Sequence, residues 1–155
     1  MSKDIFVNRL RAVARIYGFQ GRAGTLAQTL GECVCVVNVQ KSSGRPLVAV
    51  NLGVYLVKLG IREHGDVPRK PEITDCHWRS RLHVAGGGDS WWRVDSPSTA
   101  ESSAIDAGEQ LERVMPELER MSGAGGLVGE WLEGRSPGLT DVQRERYLKV
   151  LGRLP

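Results

Sequence analysis

Residues 33–41 read Cys-Val-Cys-Val-Val-Asn-Val-Gln-Lys and residues 47–56 read Leu-Val-Ala-Val-Asn-Leu-Gly-Val-Tyr-Leu, with Ser-Ser-Gly-Arg-Pro between them. Two β-branched runs around a Gly/Pro turn predict a hairpin, with strands over 33–41 and 47–57. Both runs are apolar at nearly every position rather than at alternate ones, so each strand is predicted to be covered on both faces. Yet each run carries an amide near its middle, Asn38 and Asn51. A buried amide needs hydrogen-bond partners, so these two mark either a polar pocket or a device that fixes strand register.

Outward from the hairpin, Ile5, Phe6, Leu10, Val13, Ala14 and Tyr17 recur at helical spacing and predict a helix over 3–17, ended by Gly18. Residues 19–30 form a weaker strand region. Residues 60–74, basic and holding Pro68 and Pro71, predict a surface loop. Residues 77–84 alternate: Trp78, Ser80, Leu82 and Val84 on one face, His77, Arg79, Arg81 and His83 on the other. After three glycines, Trp91 to Val94 predict a short last strand. From Ser98 the period is helical to about residue 121, with Pro116 predicting a kink or break near Met115. Shorter helices follow over 127–133 and 140–151, the last opened by a Thr140/Gln143 capping box. The fold class is α+β: a single domain over 1–155. Its mostly antiparallel sheet of four or five strands (about 19–95) packs against the N-terminal helix and a C-terminal helical part (about 98–152).

The 155 residues are 41% hydrophobic and 25% charged, values of an ordinary globular chain able to bury a core without disulfides or metals. The net charge of +3 is too small to demand a nucleic-acid partner. It is unevenly spread. Residues 1–93 hold 14 Lys plus Arg against 7 Asp plus Glu, whereas residues 94–155 hold 7 against 11. Cys33, Cys35 and Cys76 predict reduced core thiols. No leader and no membrane-length apolar run is visible, so a cytoplasmic protein is expected.

The spaced motifs add a resemblance. The chain is similar to a bacterial domain-of-unknown-function family, number 4304, in its Gly18-Phe19 pair, its Asn-x-Gln-Lys-Ser strand end (38–42) and its Val-Asn-Leu-Gly-Val strand (50–54). It also matches in an Asp-Cys-His-x-Arg-x-Arg-Leu segment (75–82) and the Trp91-Trp92 pair. The resemblance spans roughly residues 5–120. It carries no catalytic residues over, and it implies an immunity role: binding and neutralising a cognate toxin.

Asp75, Cys76, His77 and His83 are of metal-ligand type, but adjacent strand residues diverge, so neither a metal site nor a Cys76 nucleophile served by His83 or His64 is expected. Arg79 and Arg81, with His77 and His83, form a basic stripe. It either meets an acidic partner or pairs internally with the acidic helix 101–119. One of Trp91 and Trp92 faces inward and the other outward. These residues point to a non-catalytic protein-binding module that needs no cofactor or metal, and the resemblance implies that its partner is a protein toxin engaged one-to-one. The partner-binding residues expected are Arg62, Arg69, Lys70, Arg79, Arg81 and Trp92. Nucleic acid and membrane are not expected partners. The alternative is a small-ligand binder or enzyme with a polar pocket near Asn38, Asn51 and His77.

Overall fold

The computed structural model of the chain describes residues 1–65 and 70–154. The elements are α1 (Ser2–Ile16), β1 (Gln20–Arg22), β2 (Thr25–Leu30), β3 (Cys33–Lys41), β4 (Leu47–Leu56), α2 (Val57–His64), a 3₁₀ turn (Ile73–Asp75), β5 (Trp78–Arg81), β6 (Trp92–Arg93), α3 (Pro97–Ser122), α4 (Gly126–Leu132) and α5 (Asp141–Val150). The sheet runs β1-β2-β3-β4-β5, entirely antiparallel, and β6 joins the free end of β4 beside β5. The expected α+β architecture is what forms. The weak region 19–30 divides into two strands, β1 and β2, around a tight Ala23-Gly24 turn, which brings the total to six among the described residues.

One sheet face is the main core. Leu26, Cys35, Val37, Val50, Leu52 and Val54 point into it and meet Phe6, Leu10 and Ala14 of α1 and Ala104, Ala107 and Leu111 of α3. Gly108 lets the two helices approach closely: a Cβ there would lie 3.2 Å from Val13 Cγ2. The opposite face is covered only in part. Val36, Tyr55 and Cys76 form a second small cluster with Ala27, Val34, Val57 and Ile73. This cover stops short of the far ends of β3 and β4. The apolar-throughout pattern is therefore answered near Val36 and Tyr55, and Asn38, Gln40 and Asn51 stand where the second face opens.

Two expectations change. Residues 57–64 are helical rather than the start of a loop, closed by Gly65 in the left-handed conformation (φ 72°). Gly60, the predicted start of the loop, lies inside this helix; a Cβ there would sit 1.9 Å from Tyr55 Oη, so packing demands the glycine. The second change is that α3 does not break at Pro116. Met115, Leu118 and Met121 stay buried along the same helix, and that packing outweighs the proline's cost of roughly 3 kcal/mol.

Candidate functional site

Sheet register places a polar row across the open face. Thr25 lies opposite Asn38, Asn38 opposite Asn51, and Asn51 opposite Arg81. The side chains are bonded in the same order. Asn38 Nδ2 donates to Thr25 Oγ1 at 2.9 Å, and Asn51 Nδ2 donates to Asn38 Oδ1 at 3.2 Å. Arg81 Nε donates to Asn51 Oδ1 at 2.9 Å. Gln40, one step along β3, accepts from both Asn51 Nδ2 (3.1 Å) and Arg81 Nη2 (2.7 Å). The Arg81 guanidinium lies 5.1 Å from the centre of the Trp91 ring, within cation–π range. Two shallow concavities that share Asn51 and Ile73 open over this row. One holds about 390 Å³ beside Asn38 and Gln40, the other about 380 Å³ beside Arg79 and Arg81.

Arg81 is thus the one expected binding residue at the centre of a built site. Arg79 shares its face but is committed to structure: Nε and Nη2 donate to the Cys76 and Thr74 carbonyls. Its backbone N–H donates to Pro137 O, so the 135–138 loop covers part of the outer edge of β5. Internal pairing with the acidic helix does not occur. Helix α3 lies on the other side of the sheet, and among the described residues neither Arg79 nor Arg81 is in an ion pair. Lys70 is exposed beside Arg22, Thr25 and Glu72, on the rim of the same face. Arg62 is elsewhere, joining α2 to α5 through Val150 O. Arg69 lies outside the described residues.

Trp92 needs correction. It is 2% exposed, 6.2 Å from the Phe6 ring, and its indole N–H donates to Asp106 Oδ2 at 2.9 Å. Burial alone would raise the Asp106 carboxyl. Hydrogen bonds from the Ala85 N–H, the Trp92 indole and the Gln110 amide outweigh it and hold the group below its ordinary value. The outward member of the pair is Trp91, half-buried under Arg81. A two-residue strand offers too little alternation to assign this parity from sequence.

His77 also departs from the expected pocket. It is not with Asn38 and Asn51 but enclosed between Tyr55 (4.7 Å) and Tyr147 (5.1 Å). Its Nδ1 accepts the Leu56 N–H at 2.9 Å, which fixes the neutral tautomer with the proton on Nε2, 3.8 Å from Glu63. Burial drives its pKa down to about 4, and nearby His64, Arg79 and Arg146 add to this. Burial pushes the Cys33 and Cys76 thiols up to about 12 and raises Cys35 as well. Among the described residues no three His, Cys, Asp or Glu side chains converge as metal ligands, and no helix is long and apolar enough to cross a membrane.

The strand end 38–42, the strand 50–54, the segment 75–82 and the Trp pair thus meet in one place through Asn38, Gln40, Asn51, Arg81 and Trp91. Residues 10–120 match the family described as domain of unknown function (DUF4304). The chain belongs to that family. The matched span of this DUF4304 chain takes in all six strands, and helices α4 and α5 lie beyond it. No curated protein and no solved structure matches it.

Proposed function

We propose that this chain is a non-catalytic binding protein that docks a partner protein on the open polar half of its sheet. The observation that carries the reading is the in-register row Thr25–Asn38–Asn51–Arg81, bonded side chain to side chain before any partner arrives. Such a row is costly to build for stability alone, since apolar residues at the same positions would extend the neighbouring cluster of Val36 and Tyr55 without hydrogen-bond bookkeeping. A rigid array loses little entropy on docking, which favours tight recognition. The buried thiols and the neutral, enclosed His77 support binding over covalent or acid–base chemistry.

In its most specific form the reading is a cytoplasmic immunity protein, as the family resemblance implies. It would occlude a toxin one-to-one, with Arg81 and Trp91 central and Lys70 at the rim. The test is calorimetry of the purified chain with the product of the adjacent gene. A 1:1 complex weakened at least tenfold by Arg81→Ala is expected, and absence of binding overturns the immunity assignment.

A further inference from the structure

We infer that the polar row is a carboxylate-reading site that takes an Asp or Glu side chain of the partner; this rests on the binding role proposed above. The argument begins with Arg81, which has donors and no acceptor. Its two bonds therefore force the oxygens, not the nitrogens, of Asn51 and Gln40 to face it. Asn51 must then point its NH₂ at Asn38 and Gln40, so Asn38 turns its oxygen inward and its NH₂ toward Thr25. One cation sets the direction of every amide in the row.

The consequence is a surface whose amide oxygens are turned inward and already engaged. The side-chain oxygens of Asn38, Gln40 and Asn51 each receive a hydrogen bond from within the row, Gln40 Oε1 receiving two. The groups left without any bond are donors. Among the described residues Gln40 Nε2 and Arg81 Nη1 donate to nothing, and Gln40 is exposed. Among the described residues the one acid lining the opening, Glu72, accepts the Asp75 backbone N–H in a capping box and faces the Asn38 end of the row, away from Arg81 in the neighbouring concavity. At its Arg81 end the opening presents N–H groups and one guanidinium seated over the Trp91 ring. A carboxylate matches it, with two acceptor oxygens and the opposite charge. A polyphosphate backbone would require a longer run of cations than Arg81 with Lys70 at the rim.

The test is an NMR titration of the ¹⁵N-labelled full chain with a hexaglutamate peptide, following the Gln40 side-chain amide and the Arg81 guanidinium signals. Saturable shifts at both are expected; read from the backbone amides of residues 38–41, 50–52 and 80–82, binding is lost in Gln40→Glu and at least tenfold weaker in Arg81→Lys, and the remaining backbone amides show that each variant is folded. Absence of saturable shifts, or equal binding by Gln40→Glu, overturns the carboxylate assignment. So do equal shifts with inorganic phosphate, which would assign the site to phosphate. A partner complex that survives Gln40→Glu unchanged overturns this inference and leaves the binding role standing. Peptide binding by a chain that forms no partner complex overturns the immunity reading alone.

Discussion

Asn38 and Asn51 face each other across β3 and β4, and the amide of one bonds the carbonyl of the other at 3.2 Å. The pair transmits the orientation set by Arg81 to Thr25, three strands away. Replacing Asn51 by Ala leaves an Arg81 donor and the Asn38 oxygen without their partner. A loss of about 1–3 kcal/mol in urea unfolding is expected. A double-mutant cycle with Asn38→Ala should show coupling of roughly 0.5–1.5 kcal/mol, because the second truncation removes a group already stranded. Purely additive losses would show that the row is not a unit.

The Trp pair separates stability from recognition. Trp92 fills the core against Phe6 and satisfies Asp106, so Trp92→Ala should cost on the order of 3–5 kcal/mol. Trp91→Ala removes only the surface under Arg81. It should cost less than about 1 kcal/mol in unfolding while weakening partner affinity by tenfold or more. Thermal denaturation and calorimetry on the two variants check both halves.

Much of this fold was legible in sequence for definite reasons. Val and Cys at every position of 33–37, with Leu and Val across the turn, mark a strand pair. Thr140 and Gln143 announce their helix through cap chemistry that depends only on local spacing. Helix α2 was not legible, because Gly60 is present to make room for the Tyr55 hydroxyl, a contact that local propensity does not encode. The binding row was half legible. Asn38 and Asn51 stand out as polar exceptions, but their alliance with Gln40 and Arg81 depends on register and on where the second face loses its cover. Nothing in the alternation of 77–84 says which sheet face α3 takes, so the stripe's partners could not be chosen.

Gly53 sits beneath Cys76, where an added Cβ would lie 2.5 Å from the thiol sulfur and 2.9 Å from its Cβ. Gly53→Ala should therefore push the 3₁₀ turn off the sheet and cost roughly 1–3 kcal/mol. Adding Cys76→Ala removes the sulfur but not the second close atom, so only part of the loss should return. Urea midpoints of the single and double variants make the comparison.

Ala23 occupies the hairpin turn between β1 and β2 with φ 52°, a left-handed conformation that disfavours any side chain. Ala23→Gly removes that penalty and gains up to about 1 kcal/mol, less the entropy glycine adds to the unfolded chain. The variant should unfold at a higher urea midpoint with an unchanged slope. A lower midpoint would mean that the alanine methyl makes a compensating contact.

Acid should lower the stability of the protein over two pH windows. His77 is neutral in the folded state down to about pH 4, whereas an unfolded histidine protonates near 6.5. Between those values the unfolded chain binds the extra proton, so stability falls as pH drops from about 6.5 to 4 and this contribution is constant below. Glu130 acts lower. Hydrogen bonds from Arg135, and then from Arg120, hold its buried carboxyl at about 2. Its stabilisation is complete above the ordinary glutamate value near 4.5 and is lost as pH falls toward 2. Urea unfolding followed from pH 7 to 3 should show both slopes. His77→Gln should flatten the upper one and leave the lower, and Glu130→Gln should do the reverse; a profile unchanged in His77→Gln would place the upper proton uptake on another group.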